Sequence, residues 1–267
     1  MRESDALSRE LEFAAPPRRI VSLVPSWTET LFALGAGDAV VGVTDFCVHP
    51  AERVAALPHV GGTKNPDRRA IAGLAPDLVL ANKEENRQRD VEWLEAAGLR
   101  VFVTYARSVA GALAELRALG RITGRGDEAE ALACEVELRL AARADAAGRQ
   151  RPRVVALVWR EPLMAVGADT FASDLIACAG GDNPFAAAGR GRYPRIGEGE
   201  LVAAAPDVVL LPTEPYAFGE AERREVLALP CPAARSGRVH VVEGELLSWY
   251  GPRMPRALDT LARLLAG

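Results

Sequence analysis

The sequence predicts an α/β protein built from two similar lobes, each formed around a central parallel sheet. Short apolar segments alternate with helical patterns from Arg19 to about Val103, and the same alternation returns from Arg153 onward. The stretch between these two regions has a helical pattern without a strand. We therefore expect four regions: an N-terminal extension (1–18), an N-terminal lobe (19–107), linking helices (108–150) and a C-terminal lobe (151–267).

Two segments of the first region recur in the second, which is the other reason to expect two similar lobes. Residues 153–158 (RVVALV) resemble residues 19–24 (RIVSLV), and residues 205–210 (APDVVL) resemble residues 75–80 (APDLVL). The two pairs are separated by nearly the same length of chain, which indicates an internal duplication. Two such lobes joined by one long, rigid α-helix would leave a ligand cleft between them.

The positions of the helices and strands are predicted from apolar runs and their flanking residues. Ser26 and Glu29 have the spacing of a capping box at a helix start, and Gly35 suits the end of that helix. Asp67 opens a short helix, and Asn86 is expected to cap another. The second linking helix would begin at Asp127 and extend about 33 Å at 1.5 Å per residue. The predicted strands cover residues 20–24, 39–43, 78–81, 101–103, 153–158, 208–210 and 238–242.

Composition excludes several classes of protein. The net charge is −4, which argues against a nucleic-acid-binding surface. No apolar run approaches the roughly 20 residues of a membrane helix. The first residues are charged and lack the apolar core of an export signal. We therefore expect a cytoplasmic protein, or a periplasmic or cell-envelope protein if the natural N-terminus is longer.

The cysteines indicate neither a redox motif nor a zinc site. None of the four forms a Cys-x-x-Cys pair, and no disulfide is required. Cys134 and Cys178 are expected to be small buried residues. The three histidines lie in dissimilar contexts, so we expect no bound metal ion and no cofactor.

Polar and aromatic residues follow the predicted strands at the point where each strand ends. In open α/β sheets, ligands bind beyond the carboxyl ends of the strands. Aromatic rings with a few convergent polar groups are typical of small-molecule pockets. The candidate ligand-binding residues are Ser26, Trp27, Cys47, His49, Lys64, Asn82, Lys83, Glu84, Trp159, Arg160, Glu214, Tyr216, Trp249 and Tyr250. The aromatic members would pack on the faces of a ligand, and the charged members would meet its polar edges.

Several of these residues also have a structural interpretation. Trp27 and Trp159 would serve equally well in core packing, and His49, which precedes a proline, in capping a helix. Lys83 and Glu84 would also fit a surface ion pair of little energetic consequence. Cys47 would also fit as a small buried residue. We expect no catalytic residue, although an enzyme that uses the region of Cys47 and His49 is a further alternative.

Three motifs, in order along the chain, point to a known family. They are the segment VSLVPSWTETLFALGAGD, the segment APDLVLA, and the segment AGGDNPF followed by APDVVLL. Together they resemble the class III, helical-backbone periplasmic binding proteins, and most closely the cobalamin receptors of corrinoid importers. The resemblance covers the chain from about residue 18. It implies a monomeric bilobal receptor that holds its ligand in the cleft and delivers it to a membrane permease with its ATPase.

The sequence departs from this family at several positions. It has no export signal, and it has Asn82 where the cobalamin receptors carry tryptophan. Those receptors present an acidic residue on each lobe to the permease, where this chain has Gln88 and Ser248. The resemblance therefore predicts non-enzymatic binding of cobalamin or another corrinoid, in a cytosolic form or with an ABC permease if the protein is exported. A receptor for haem, a ferric siderophore or another metal chelate is the alternative.

Overall fold

The computed structural model describes residues 1–144, 150–187 and 189–266, and these residues form two compact units. Unit 1 comprises Met1–Tyr105, Gly111–Cys134 and Tyr250–Pro252. Unit 2 comprises Ala106–Ala110, Glu135–Trp249 and Arg253 onward. Residues 145–149 of the predicted linking helices, and residues 188 and 267 of the predicted C-terminal lobe, lie outside the described residues.

The strands and helices are numbered in chain order. The strands are β1 (Arg2–Ser4), β2 (Glu10–Glu12), β3 (Ile20–Ser22), β4 (Val40–Val43), β5 (Gly61–Gly62), β6 (Asn65–Pro66), β7 (Leu78–Asn82), β8 (Val101–Thr104), β9 (Val154–Trp159), β10 (Met164–Ala165), β11 (Val208–Pro212) and β12 (Val239–Val242). The α-helices are α1 (Pro25–Ala33), α2 (Ala51–Ala55), α3 (Arg68–Gly73), α4 (Gln88–Ala96), α5 (Val109–Thr123), α6 (Gly126–Ala144), α7 (Phe171–Cys178), α8 (Glu198–Ala203), α9 (Glu220–Leu227), α10 (Pro232–Arg235), α11 (Glu245–Ser248) and α12 (Met254–Ala266).

The core of unit 1 is a parallel sheet with strand order β4-β3-β7-β8. Every residue of β3, β7 and β8 is buried. A strand covered on both faces needs a continuous apolar run rather than an alternating one, and the sequence supplies such runs. The prediction of a parallel α/β lobe is confirmed for this unit.

Unit 2 repeats this arrangement with strand order β10-β9-β11-β12. β9, β11 and β12 are parallel, whereas the two-residue strand β10 pairs with β9 in the antiparallel direction. The prediction of two similar α/β lobes with parallel sheets is confirmed. The rigidity of the linking helix and the ligand cleft between the lobes stay predictions.

The duplicated segments make the same hydrogen bonds in both units. Asp77 accepts a hydrogen bond from the Arg19 amide at 2.9 Å, and Asp207 accepts one from the Arg153 amide at 2.8 Å. Each aspartate amide in turn donates to the carbonyl of the same arginine, at 2.8 Å in both units. The repeated Ala-Pro-Asp segment therefore ties the start of the central strand to its neighbour in each unit.

The N-terminal 18 residues, expected as an extension, are part of unit 1. β1 and β2 form an antiparallel hairpin, and the Ala6 amide donates to the Val103 carbonyl at 2.8 Å on the edge strand β8. Asp5 is buried and accepts a hydrogen bond from the Arg9 amide at 3.1 Å, and Phe13 is fully buried. The segment therefore covers an open edge of the parallel sheet.

The linking region forms two helices, α5 and α6, and boundaries between the two units fall within both of them. The sequence pattern predicted the second helix from Asp127 onward, and α6 begins one residue earlier. Cys134 on α6 is exposed, so the expectation that it is buried is wrong. A cysteine within an alanine-rich helical run gives no sign of which helix face it occupies. Cys178 is half-buried.

Two predicted helix caps are wrong. α1 begins at Pro25 and has no side-chain cap, because a proline at the first helical position moves Ser26 inside the helix. Arg87, not Asn86, precedes α4, and the Asn86 side chain bonds to backbone groups of Asn82 and Thr63. The predicted start at Asp67 is confirmed, since its carboxylate accepts hydrogen bonds from two amides of α3.

Candidate functional site

The strand ends of unit 1 are organised around the hydroxyl of Thr104, at the end of β8. Trp27 Nε1 donates to Thr104 Oγ1 at 3.0 Å, and Asn82 Nδ2 donates to the same oxygen at 3.1 Å. The hydroxyl itself donates to the carbonyl of Ala81 at 3.1 Å. All three side chains are buried, so this one oxygen fixes both the indole and the amide. The sequence analysis did not select Thr104.

Trp27 and Tyr250 pack on each other inside unit 1. Their ring centroids lie 5.3 Å apart with an interplanar angle of 33°. The exposed fraction is 1% for Trp27 and 5% for Tyr250. Gly251 follows with a φ of +70°, and a Cβ at this position would collide with the Thr30 hydroxyl. In this structure the two rings contact each other, and their contact with a ligand stays a prediction.

The loop after β7 is held by a network of amides. Asn86 Nδ2 donates to the Thr63 carbonyl at 2.9 Å, and Asn86 Oδ1 accepts from the Asn82 amide at 2.8 Å. Asn82 Oδ1 accepts from the Glu84 amide at 2.7 Å. Asn82 therefore shapes the loop from inside.

Both lysines of the chain lie at this end of unit 1 and are exposed. Lys64 Nζ donates to the carbonyl of Glu84, and Lys83 Nζ lies 5.1 Å from the ring centroid of Tyr105. The lysines therefore face solvent and each contacts a neighbouring loop residue, and their contact with a ligand stays a prediction. Glu84 is half-buried.

Cys47 and His49 follow β4, and they differ in environment. Cys47 is buried, and its Sγ lies 3.1 Å from Thr28 Oγ1 and 3.2 Å from Thr44 Oγ1. Burial raises the pKa of the Cys47 thiol, although hydrogen bonds from the two threonines oppose that change. His49 is half-buried. A buried neutral thiol is a poor nucleophile and a poor metal ligand.

Phe46, in the same loop, is the most exposed large aromatic side chain of the described residues, at 60%. The residues predicted in this loop were instead Cys47 and His49, which both follow Phe46 in the chain. Phe46 could have been selected from the sequence, because it is an aromatic residue three positions beyond the end of β4. Val48, two residues later, is also exposed.

Ser26 lies in the first turn of α1 with an exposed fraction of 2%. Its hydroxyl oxygen is buried and has no hydrogen-bond partner among the described residues. The helix begins without a side-chain cap, and its first turn contains no acidic residue. The site therefore contains an unsatisfied polar group at a helix N-terminus.

In unit 2, Trp159 ends β9 and Tyr216 follows β11. Their rings meet edge to face, with centroids 5.8 Å apart, and Trp159 Nε1 donates to the Glu161 carbonyl at 3.0 Å. Trp159 remains 41% exposed. Arg160 donates to a Glu225 carboxylate oxygen at 2.6 Å. The structure thus brings Trp159 and Tyr216 together and leaves part of the indole open to solvent.

Glu214 and Trp249 also meet in unit 2. Glu214 Oε1 accepts hydrogen bonds from Trp249 Nε1 at 3.0 Å and from Ser248 Oγ at 2.9 Å. The Arg253 guanidinium lies 5.0 Å from the ring centroid of Trp249, which is buried. These contacts give both predicted site residues a structural partner, and their contact with a ligand stays a prediction.

Tyr193, which the sequence analysis missed, is a further exposed aromatic residue of unit 2, at 39%. The Arg192 guanidinium lies 5.6 Å from the ring centroid, and Arg192 Nε donates to the Asp169 carbonyl at 2.8 Å. The adjoining Arg195 pairs with Met164 of β10, so this segment runs beside the edge of the sheet. The sequence pattern that could have identified Tyr193 is a tyrosine between arginines in a glycine-rich loop.

The chain matches the model of a known family. The family model described as periplasmic binding protein matches residues 20–242, which is most of the chain. The chain therefore belongs to the periplasmic binding protein family, and the resemblance stated from the sequence motifs is confirmed. None of the helices in the described ranges is long and apolar enough to cross a membrane.

The chain is also similar in sequence to individual binding proteins. The chain is 35% identical to a cobalamin-binding protein of Halobacterium salinarum over 214 residues, 78% of this chain and 57% of that protein. It is 27% identical to a vitamin B12-binding protein of Yersinia pestis over 199 residues, 74% of this chain and 70% of that protein. The chain thus spans little more than half of the Halobacterium relative.

A solved structure aligns over nearly all of both chains. The periplasmic heme-binding protein from Roseiflexus sp. RS-1, in apo form, has a TM-score of 0.81 and 30% identity to this chain. The alignment covers 93% of this chain and 97% of that one. The chain is therefore similar both to relatives named for cobalamin and to a structure named for haem.

Proposed function

We propose that this protein is a non-catalytic receptor for a large planar ligand with polar edges, and that the ligand is cobalamin or another corrinoid. The observation that carries the proposal is that one relative is named a cobalamin-binding protein and another a vitamin B12-binding protein. Because the chain belongs to the periplasmic binding protein family, we further propose that the protein presents its ligand to an ABC permease with its ATPase.

The exposed aromatic rings support a large apolar ligand face. Phe46 follows β4 in unit 1 and Trp159 ends β9 in unit 2, and both rings are open to solvent. An aromatic ring in this position contributes roughly 0.5–1.5 kcal/mol beyond its area burial when it packs against another π-system. These two residues are better candidates for the ligand faces than the buried Trp27, Trp249 and Tyr250.

The charged residues at the strand ends would meet the ligand's edges. Lys64 and Lys83 are exposed and present ammonium groups to an amide, phosphate or carboxylate. Arg160 is half-buried and shares Glu225, while Glu214 already accepts two hydrogen bonds. The two lysines are more exposed than Arg160, and they are therefore the stronger candidates for direct contact with a ligand.

Haem is the second candidate ligand, and a specific observation favours it. The structure from Roseiflexus is named for haem, and this chain carries an exposed tyrosine, Tyr193. A tyrosine oxygen is an established axial ligand of haem iron. Arg192 beside that ring would offset the charge of a propionate.

An enzyme that uses Cys47 gains no support from the site. A nucleophilic cysteine has a lowered pKa in an accessible, electropositive surrounding. Burial instead raises the pKa of Cys47, and the thiol contacts two hydroxyl groups. The relatives are likewise named for binding rather than for a reaction.

The experiment is a binding panel of cyanocobalamin, cobinamide, haemin and a ferric siderophore. Binding would be read by calorimetry and by the visible spectrum of the protein peak after gel filtration. We expect corrinoid binding below 1 µM, about −8 kcal/mol or better, and a protein that elutes as a monomer. Tight binding of haemin or siderophore with no corrinoid binding would mean that the ligand is not a corrinoid. No binding of any of them would overturn the proposal.

A further inference from the structure

We propose that the N-terminus of α1 is a subsite for one oxygen acceptor at the edge of the ligand. The acceptor is the carbonyl of a corrinoid amide or the carboxylate of a haem propionate. This inference rests on the proposed function, and it specifies how Ser26, already a candidate ligand-binding residue from the sequence, would meet the ligand.

The first observation is the set of donors in the first turn. The first helical hydrogen bond of α1 runs from the Thr28 amide to the Val24 carbonyl at 2.9 Å. Pro25 has no N–H group, so the amides of Ser26 and Trp27 are the donors that precede this bond. The opening turn of a helix cannot satisfy such amides from within the helix. The helix itself therefore supplies no acceptor for these two amides.

The second observation is the Ser26 hydroxyl, which belongs to the same turn. Ser26 is 2% exposed, and its hydroxyl oxygen has no hydrogen-bond partner among the residues described. A buried hydroxyl without a partner is costly, and most buried polar groups in folded proteins have one. An alanine at this position would avoid that cost if the hydroxyl never met a partner.

The partial charge at the first turn of α1 favours a hydrogen-bond acceptor as the ligand group. The N-terminus of a helix carries a partial positive charge, and carboxylate or phosphate groups are stabilised there. No acidic side chain occupies the first turn of α1. The partial charge is therefore not neutralised within the turn, and both an amide carbonyl and a carboxylate would be attracted to it.

The surroundings of the turn are the strand ends already described. Leu23, three residues before Ser26, gives its carbonyl to Asn86 Nδ2 at 3.4 Å. Trp27, the next residue, is fixed by Thr104 and packs on Tyr250. The donor group is thus held at the carboxyl end of β3, between the loop after β7 and the Trp27 ring.

The test compares wild-type protein with Ser26→Ala and Ser26→Asp, with cyanocobalamin and haemin as the probes. Dissociation constants would be measured by calorimetry, and melting temperatures without ligand. Ser26→Ala should weaken binding of the cognate probe about fivefold, the loss of one neutral hydrogen bond. The same change should leave the ligand-free melting temperature equal or higher, because it removes an unsatisfied buried hydroxyl.

Ser26→Asp provides a carboxylate that competes for the same donors, and the partial positive charge of the helix N-terminus attracts that carboxylate. It should weaken binding of haemin more than binding of cyanocobalamin, because two carboxylates repel each other. Ser236→Ala is the control, since the Ser236 hydroxyl bonds to the Pro232 carbonyl at the end of α10. The control should bind both probes as the wild type does.

Three outcomes would overturn the subsite. Unchanged affinity in both Ser26 variants would mean that a buried water, not the ligand, meets these donors, while the proposed function would stand. A lower melting temperature with unchanged affinity for Ser26→Ala would give the hydroxyl a structural role only. Binding of neither probe by the wild type would overturn the subsite together with the proposed function.

Discussion

At the scale of single residues, Thr104 is the group on which the interior of unit 1 most depends. Its hydroxyl accepts from both Trp27 Nε1 and Asn82 Nδ2. Thr104→Val keeps the shape and removes the acceptor, which leaves two buried donors unpaired. Each unpaired donor costs about 1–3 kcal/mol, so urea unfolding should show a loss of at least about 2 kcal/mol.

The matched control is Thr104→Ser, which keeps the hydroxyl and loses only a methyl group. It should cost roughly 1 kcal/mol or less. If Thr104→Val were no less stable than Thr104→Ser, the hydroxyl would not be the common partner of the indole and the amide, and Trp27 would be held by packing alone.

Cys47 gives a residue-scale prediction about pH. Burial raises the pKa of this thiol above its ordinary value of 9.0. A raised pKa in the folded state means that the unfolded chain releases the proton first as pH increases. The stability gained from the neutral thiol is therefore complete below pH 9.0 and is lost as pH rises through the folded-state pKa.

Alkylation at pH 8, followed by mass spectrometry, measures how readily each cysteine thiol reacts. The exposed Cys134 should react in the native protein, and Cys47 should react only after unfolding. Cys178 should be slow, since burial and Asp174 raise its pKa to about 11. Modification of native Cys47 as fast as of Cys134 would contradict the buried environment and revive a reactive thiol.

At the scale of elements, the N-terminal hairpin is the feature that the sequence did not predict. Phe13 anchors it in unit 1, and the chain after it leads into β3. Phe13→Ala should lower the free energy of unfolding by about 3–5 kcal/mol, as is usual for a buried phenylalanine. Thermal or urea unfolding is the measurement.

Phe46→Ala is the matched control, because the same change is made at a ring that is 60% exposed. It should alter the free energy of unfolding by no more than about 0.5 kcal/mol. Equal losses of stability in the two variants would contradict the contrast between an anchoring ring and an open one.

The elements also show how far sequence reasoning reaches. Long apolar runs determined the parallel strands, and the repeated Ala-Pro-Asp segment predicted the duplication that the Asp77 and Asp207 hydrogen bonds bear out. The caps at Ser26 and Asn86 were wrong, since a cap depends on a shift of one residue and on which loops lie nearby. The strands β1, β2, β5, β6 and β10 are two or three residues long, too short for a periodic signal.

Within the candidate site, the sequence located the strand ends but not the exposure of each residue there. It selected Trp27, Trp249 and Tyr250, which are buried, and Trp159, which is not. It passed over Phe46 and Tyr193. Whether an aromatic residue beyond a strand faces a neighbour or solvent depends on tertiary packing, which neither residue type nor spacing encodes.

At the scale of the whole molecule, the two units share one framework and differ at the carboxyl end of the first central strand. β3 leads into α1, whose first turn holds the Ser26 hydroxyl that has no partner among the described residues, whereas β9 ends at the aromatic Trp159 and is followed by the charged Arg160. The framework is common to the periplasmic binding protein family, and the strand ends carry the features that are particular to this chain. Ligand choice should therefore respond to changes at these ends while the fold is retained.

The most direct test of the account is the dissociation constant for cyanocobalamin, measured by calorimetry for the wild type and for a Phe46→Ala, Trp159→Ala double variant. The account predicts wild-type binding below 1 µM and a loss of about 2 kcal/mol or roughly 30-fold in the variant, with two aromatic contacts removed. An unchanged melting temperature of the ligand-free variant would establish that its fold is intact. Equal affinity of the two proteins, or no binding by the wild type, would contradict the account.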